Sequence, residues 1–188
     1  NRLVNDILDL ERIDSGRLHV DLKPHTLSDL VTTAVQEAEG FASAHDIHIR
    51  SDIKSADDLV LIDNLRFQQI MANLLSNAIK FSAPGSAVNV RAQSVDDDIN
   101  ISVSDTGIGM DEAFQKRMFD RFAQADPSAT RKVEGSGLGL AITRSLIEAL
   151  NGDIDCASTL GQGTTFTVTL PRRTSEIEQT SDLSRNTA

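Results

Sequence analysis

The chain has 188 residues, and its 18 Lys and Arg against 28 Asp and Glu give a formal net charge of −10. This charge argues against a general nucleic-acid binder, which needs a basic face, and against docking on an anionic membrane. Hydrophobic residues make up 39% of the chain, which suffices for a core and is too many for a disordered protein. The single cysteine, Cys156, cannot form an intrachain disulfide, which favours a reducing compartment. No apolar run approaches the roughly 20 residues of a membrane span.

The first residues have the pattern of a helix. Apolar residues recur at spacings of three and four from Leu3 to Ile13, and Ser15-Gly16 ends the pattern. Because it is already running at residue 3, we expect the last turns of a helix whose partner lies upstream in a longer protein; a short surface helix is the alternative. The expected organisation is this helix end at 1–17, a folded domain at 18–171, and a polar, disordered tail or linker at 172–188.

The first half of the domain mixes strands and helices. Leu18, Val20 and Leu22 alternate with polar residues and predict a strand that Pro24 ends. Thr26 is expected to cap a helix. Two further strands are predicted at 47–53 and 59–62. The strongest helix is predicted at 63–81, with an apolar stripe made of Leu65, Ile70, Leu74, Leu75, Ala78 and Phe81.

The second half reads as two hairpins separated by glycine-rich loops and helices. The predicted order is strands at 88–90 and 99–103, a loop at 105–110, helices at 111–118 and 137–150 flanking an aperiodic segment at 123–136, and a hairpin at 154–158 and 164–170. We therefore expect an α/β (α+β) fold, a two-layer sandwich with a mixed, mostly antiparallel sheet and helices on one face. A Rossmann fold would alternate strand and helix throughout.

The long helix carries the first polar motif. Asn73, Asn77 and Lys80 are spaced i, i+4 and i+7 and so share one face, expected opposite much of the apolar stripe. Amide oxygens and an ammonium suit a hydrated Mg²⁺ ion and phosphates, because Mg²⁺ takes oxygen ligands and keeps several waters. An ordinary solvated helix face is the alternative for this motif alone.

The second motif, Asp105-Thr106-Gly107-Ile108-Gly109-Met110, follows a predicted strand. A carboxylate at a strand end can accept a hydrogen bond from a ligand amine, and the glycines allow close approach. A tight strand-to-helix turn capped by Asp105 is the alternative. The third motif, Gly135-Ser136-Gly137-Leu138-Gly139-Leu140, opens a helix, where free N–H groups and the dipole favour phosphate. It is neither a Walker loop nor a dinucleotide fingerprint, since it lacks Gly-Lys-Ser/Thr and a preceding strand.

In this order, and followed by Gly161-Gln162-Gly163-Thr164, the motifs resemble the histidine-kinase catalytic domain. That domain belongs to the ATPase group of DNA gyrase, MutL and the large heat-shock chaperone, which has the Bergerat-type ATP-binding fold. The resemblance covers residues 1–171. Phe119-Asp120-Arg121-Phe122 matches the family's phenylalanine box, and residues 1–17 look like the C-terminal end of the dimerisation and phosphotransfer helix.

The resemblance implies ATP and Mg²⁺ as cofactors and a role for each matching residue. Asn77 would be the Mg²⁺ ligand, Asn73 would lie against phosphates or metal waters, and Lys80 would contact a phosphate. Phe81 would line the adenine pocket, and Asp105 would accept the adenine amine. The other implied cofactor-binding residues are Gly107, Ile108 and Gly109 at the ring, Thr164 on the adenine side, and, in a mobile lid at about 119–136 and its hinge, Phe122, Arg131, Lys132, Gly135, Ser136, Gly137, Leu138, Gly139 and Leu140.

The implied function is transfer of the γ-phosphoryl group of ATP to a His on an upstream helix, and then to an Asp of a response regulator. The implied partners are the protein's own dimerisation domain, in a homodimer, and a response-regulator receiver domain, with no nucleic acid and no membrane contact by this part of the protein. The implied location is the cytoplasm, as the cytoplasmic part of a soluble or membrane-anchored sensor. None of the chain's four histidines has the His-Glu/Asp context of the phosphoacceptor.

Two other functions are open. An ATP-hydrolysing machine of the gyrase or MutL type is disfavoured by Asn73, because related ATPases carry a Glu there as general base. A non-catalytic module that only assembles with a partner kinase is disfavoured because no ligand position is missing.

Overall fold

The structure is a computed structural model, and it describes residues 7–8, 10–13, 15–54, 57–124 and 136–172. Residues 10–13 are helical and are followed by a turn at 15–16. Within the described ranges, no helix has the length and apolarity needed to cross a membrane. The elements in chain order are β1 (Lys23–Thr26), α1 (Leu27–Ala44), β2 (His48–Ile53), β3 (Leu59–Ile62), α2 (Asn64–Phe81), β4 (Ala87–Val95), β5 (Asp98–Asp105), α3 (Glu112–Gln115), α4 (Gly139–Ala149), β6 (Asp153–Thr159) and β7 (Gly163–Pro171).

The main sheet has five strands in the order β2-β4-β5-β7-β6. Only the β2–β4 pair is parallel, and the other three pairs are antiparallel. Side chains alternate along the central strands, and the buried set includes Val88, Val90, Ala92, Ile99, Ile101 and Val103. Helices α1, α2 and α4 contact this sheet, and α2 contacts both α1 and α4. The predicted mixed, mostly antiparallel sheet with helices is therefore confirmed.

Helix α2 is the centre of the core. Asp63 caps its N-terminus, because its Oδ1 accepts a hydrogen bond from the Arg66 N–H at 3.1 Å. The buried face consists of Phe67, Ile70, Met71, Leu74, Leu75, Ala78 and Ile79. The predicted stripe was wrong at Leu65, which is 68% exposed. Leu65 shares a face with positions 69, 72 and 76, none of which is buried.

The prediction of a strand at 18–22 was wrong. Leu18, Val20 and Leu22 do alternate as half-buried residues, but the strand, β1, begins at Lys23 and runs through Pro24. It pairs antiparallel with β3 in a separate two-stranded sheet. Such a sheet leaves one side of β1 without a neighbour, so the missing N–H of a proline is tolerated there.

Two helices are shorter than predicted. The segment 111–118 contains only α3, capped by Asp111, whose Oδ1 accepts from the Phe114 N–H at 2.6 Å. The segment 137–150 contains α4, and Thr26 caps α1 as expected, accepting from the Asp29 N–H at 3.1 Å. The division at 1–17, 18–171 and 172–188 stays a prediction, since residues 173–188 lie outside the described ranges.

Candidate functional site

Helix α2 brings the three predicted motifs together at one end of the fold. At its C-terminal end, the Phe81 carbonyl accepts a hydrogen bond from the Ile108 N–H at 3.2 Å. In its middle, the Asn73 side chain reaches the first residue of α4, donating from Nδ2 to the Gly139 carbonyl at 3.3 Å. The loop after β5 and the start of α4 therefore lie against the helix that carries Asn77 and Lys80.

The last residue of β5, Asp105, carries the carboxyl group predicted to bind a ligand amine. Asp105 Oδ1 accepts from the Gly107 N–H at 2.8 Å, and Asp105 lies opposite Thr164 of β7. Burial raises the pKa of Asp105, and the backbone N–H groups of Gly107 and Thr164 partly offset this rise in pKa. The acceptor is thus partly withdrawn from water. A hydrogen bond to it is electrostatically stronger there than it would be in water, because the local dielectric constant is lower.

Two glycines allow this loop to lie directly against neighbouring backbone, because they have no Cβ. A Cβ on Gly107 would lie 2.2 Å from the Phe81 carbonyl oxygen, and one on Gly109 would lie 2.0 Å from that of Thr159. Gly109 also has φ +64°, in the left-handed region. The Ile108 side chain between them remains 42% exposed. The close approach of backbone that the glycines predicted is therefore present, and it leaves Ile108 at the surface.

A polar network behind the loop was missed by sequence reasoning. Ser158 Oγ accepts from the Met110 N–H at 2.9 Å and lies 2.9 Å from Thr164 Oγ1. Gln115 Nε2 donates to the carbonyls of Met110 and Ser158 at 2.8 and 3.1 Å. These bonds fix the end of the loop to β6. The only signal in the sequence was a serine just before the hairpin glycines, which is too common to single out.

The polar face of α2 differs in one respect from the prediction. Asn77 and Lys80 are half-buried, as is Phe81, but Asn73 is buried and 8% exposed. Besides Gly139, its Nδ2 contacts Thr143 Oγ1 at 3.4 Å. Asn73 therefore lies against α4, and the prediction that all three polar residues lie opposite the apolar stripe was wrong for this one.

Helix α4 begins beside Asn73 without a side-chain cap on its first turn among the described contacts. Ser136 Oγ accepts from the Leu138 N–H at 3.3 Å. Gly137, at φ +70°, lies against the backbone of Phe122, where its Cβ would be 2.7 Å from the Phe122 carbonyl carbon. Backbone N–H groups at a helix start are suited to bind an anion.

The other predicted residues of this segment differ in their exposure. Leu138 is fully buried, so its contribution to a site would come from its backbone, while Leu140 is half-buried. Phe122 is 65% exposed and has φ +61°. Arg131, Lys132 and Gly135 lie outside the described residues.

The donor set fits a magnesium ion better than a metal bound by the protein alone. In the part of the chain that the structure describes, no group of three or more His, Cys, Asp or Glu side chains could hold a metal ion. The amide groups of Asn73 and Asn77 lie on successive turns of α2. Mg²⁺ retains waters and takes few protein oxygens when phosphates supply the rest. These residues therefore fit a Mg²⁺ ion that arrives with a phosphorylated ligand.

Cys156 lies on β6, close to the carboxyl group of the site. Burial, with a smaller contribution from the negative charge of Asp105, raises the pKa of its thiol to about 11. A thiol with so high a pKa stays protonated near neutral pH and is a poor nucleophile. The half-buried side chain packs against the hydrophobic core.

The chain is similar in sequence to known proteins. Residues 62–174 match a family described as histidine kinase-, DNA gyrase B-, and HSP90-like ATPase. The chain is 41% identical to the circadian input-output histidine kinase CikA of Synechococcus elongatus, over 92% of this chain and 23% of CikA. It is 38% identical to the sensor protein GacS of Pseudomonas syringae, over 89% of this chain and 19% of GacS.

A solved structure has a similar fold. The crystal structure of full-length ShkA in complex with AMPPNP superposes with a TM-score of 0.80 at 32% identity, covering 90% of this chain and 35% of ShkA. The chain thus spans about a fifth to a quarter of the length of the two curated relatives above.

Proposed function

The chain belongs to the histidine kinase-, DNA gyrase B-, and HSP90-like ATPase family, and from this premise we propose that it is the ATP-binding catalytic domain of a sensor histidine kinase. It binds ATP with Mg²⁺ and donates the γ-phosphoryl group to a His on a separate helix. The observation that carries this proposal is the meeting of the Asp105 loop and the start of α4 on one helix, α2. The kinase names of CikA and GacS support it.

The base end of the site is proposed to bind adenine. Asp105 accepts a hydrogen bond from the exocyclic amine, while Phe81 and Ile108 flank the ring. Gly107 and Gly109 keep the loop against α2 and β6, and neither has a side chain to fill the space beside the ring. This arrangement selects a base that offers an amine donor over one that offers a carbonyl, because an unpaired buried acceptor is costly.

The other end is proposed to bind the phosphates. Asn77 is the Mg²⁺ ligand, Lys80 contacts a phosphate, and the start of α4 offers backbone N–H groups. Mg²⁺, when bound, would neutralise part of the phosphate charge. A chain with net charge −10 needs such local donors to hold a polyanion. Catalysis by these residues would consist mostly of positioning and charge stabilisation, as in phosphoryl transfer generally.

The proposed partners follow from the same function. A kinase domain of this kind acts on the dimerisation domain of its own homodimer, and the phosphoryl group passes from there to a response-regulator receiver domain. We place these events in the cytoplasm. No contact with nucleic acid or membrane is part of the proposal, since the chain is acidic.

Asn73 argues against the competing ATPase function. A hydrolytic machine needs a carboxylate one turn before Asn77 to activate water, and an amide cannot take that proton. In the structure this amide donates to the Gly139 carbonyl, which a Glu carboxylate could not do. The position is therefore used to link two helices, a use that does not suit a general base.

The test is the rate of ATP hydrolysis by the chain with Mg²⁺, measured alongside ATP binding. We expect binding with turnover far below the roughly 1 s⁻¹ typical of the slower enzymes. Asn77→Ala serves as the control, because it removes the proposed Mg²⁺ ligand oxygen and should abolish the Mg²⁺-dependent binding and any residual turnover together. Turnover at or above that rate in the wild-type chain would refute the kinase function and restore the ATPase alternative.

A second test uses γ-labelled ATP. Because none of the four histidines is placed as an acceptor, the chain alone should gain no acid-labile phosphate. Label on any of these histidines would contradict the proposed division of labour between this chain and a separate acceptor helix.

A further inference from the structure

Thr143 is a polar residue in an apolar environment. It lies on α4 next to Ile142, and both side chains are fully buried. A buried hydroxyl costs free energy relative to a methyl group unless it is hydrogen-bonded. Its described contact is with Asn73, whose Nδ2 lies 3.4 Å from Thr143 Oγ1. A valine would have filled the same space without this cost, so the hydroxyl calls for an explanation.

The Gly139 carbonyl and Thr143 Oγ1 together restrict which way the Asn73 amide faces. The Gly139 carbonyl, 3.3 Å from Nδ2, can only accept a hydrogen bond, so the NH₂ group of Asn73 must face it. Thr143 Oγ1 lies on the same side of the amide and accepts from the same nitrogen. Both acceptors favour the flip in which the NH₂ group faces Gly139 and Thr143, and they therefore constrain the direction of Oδ1.

Gly139 adds no side chain on the oxygen side of this amide. A Cβ at position 139 would lie 3.6 Å from Asn73 Oδ1, in van der Waals contact with it.

Both hydrogen bonds to Nδ2 are near the long limit for such bonds. They are therefore expected to shorten when a cation or a metal-bound water draws charge through Oδ1, because hydrogen bonds in series polarise one another.

We propose that Thr143 is a positioning residue that holds the Asn73 amide with Oδ1 directed at the Mg²⁺-phosphate group. This inference rests on the proposed function, since it assigns Thr143 a part in binding the metal-phosphate end of ATP. Thr143 acts through Asn73 and touches neither nucleotide nor metal. Its loss should weaken the extra affinity that Mg²⁺ gives to nucleotide binding and leave the metal-free affinity unchanged.

The experiment measures ADP affinity by calorimetry, with Mg²⁺ and with a chelator, for the wild-type chain, Thr143→Val and Thr143→Ser. Thr143→Val keeps the volume and removes the acceptor, while Thr143→Ser keeps the acceptor. We expect Thr143→Val to lower the Mg²⁺-dependent gain in affinity about two- to tenfold, the worth of one net hydrogen bond. Thr143→Ser should retain the gain. In an Asn73→Ala background, Thr143→Val should have no further effect.

A second measurement needs no ligand. The side-chain NH₂ resonances of Asn73 should shift in Thr143→Val and stay close to wild type in Thr143→Ser. Equal losses of affinity with and without Mg²⁺ in Thr143→Val would mean that the hydroxyl only supports the fold, and would overturn the proposal. The proposal would also be overturned if Thr143→Val binds ADP and shows the same Mg²⁺-dependent gain in ADP affinity as the wild-type chain. Failure of the wild-type chain to bind ADP under either condition would instead contradict the proposed function itself.

Discussion

The two ends of the proposed nucleotide site are built in different ways. At the base end, backbone lies on backbone: Gly107 approaches the Phe81 carbonyl, and Gly109 approaches the Thr159 carbonyl. At the phosphate end, the hydrogen bonds described between α2 and α4 come from the side chain of Asn73, at 3.3 and 3.4 Å. Backbone contacts do not depend on rotamers, so the base end is set by the fold. The phosphate end depends on the orientation of a side chain.

This difference predicts which ligands lose affinity when a residue at either end is substituted. A change at the base end should weaken binding of every adenine compound, adenosine included. A change at the phosphate end should affect only phosphorylated compounds and should depend on salt or Mg²⁺. The following substitutions test this separation.

The largest effect is expected for Gly109→Ala. The new Cβ would meet the Thr159 carbonyl oxygen at 2.0 Å and would force a left-handed conformation, at φ +64°, on an L side chain. We expect the free energy of unfolding to fall by about 3 kcal/mol and adenosine binding to be lost. Gly161→Ala is the matched control, because Gly161 has φ +79° but a Cβ there would meet no atom within 4 Å. Urea denaturation showing equal losses for both variants would contradict the role of the backbone contact.

Asp105→Asn should cost affinity without costing the fold. The amide presents a donor where the adenine amine needs an acceptor, and a hydrogen bond to a charged group contributes about 1.5–3 kcal/mol, or roughly ten- to a hundredfold in affinity. Calorimetry should find this loss for both ADP and adenosine. Asp111→Asn, which keeps a good N-cap at α3, should bind like the wild type. Unchanged ADP affinity in Asp105→Asn would exclude the proposed contact.

The pH dependence of binding should report the same carboxyl group. Because burial raises the pKa of Asp105 above 3.8, the group takes up a proton at higher pH in the folded chain than in the unfolded chain. Its contribution to stability therefore rises as pH falls through the raised pKa toward 3.8. Adenine affinity should fall over the same window, since a protonated carboxyl is a poorer acceptor. The ratio of wild-type to Asp105→Asn affinity for ADP should then shrink toward unity, and a constant ratio would contradict the assignment.

The smallest effect is expected for Lys80→Met, at the phosphate end. A half-buried ammonium facing a phosphate should contribute a few-fold in ADP affinity, about 1 kcal/mol. The effect should diminish at about 1 M salt, where the Debye length is roughly 3 Å. Adenosine binding should not change. Lys116→Met, at the exposed end of α3, is the charge-matched control. A loss of adenosine affinity in Lys80→Met would show that the two ends are not separate.

Much of the fold was predictable because local signals agreed with tertiary structure. The caps Thr26 and Asp63 mark helix starts, and period-two alternation marks β4 and β5. The predictions made from Pro24 and Leu65 were wrong, for opposite reasons. A proline is compatible with a strand that lacks a neighbour on one side, and a leucine at helical spacing can still face solvent. Whether a partner covers a given face is a property of the whole fold, and the local sequence does not contain it.

The site was predictable as a set of motifs but not as a set of contacts. The burial of Asn73 against α4 could not be predicted from its motif, because its partner Thr143 lies 70 positions away in the chain. Ser158 and Gln115 belong to no motif, and their hydrogen bonds join segments 48 and 43 positions apart. Such contacts follow from how helices and hairpins pack. Spacing within one element, which is all that the sequence offers, cannot give them.

Binding of ATP with Mg²⁺ at this end of the fold underlies every substitution above, and calorimetric titration of the chain with AMPPNP, in the presence and absence of Mg²⁺, measures it without a variant. We expect one site, tighter binding with Mg²⁺, and a thermal shift that reflects about 2.7 kcal/mol of stabilisation at a hundredfold excess of ligand over Kd. The absence of both heat and a thermal shift under both conditions would contradict the proposed nucleotide site.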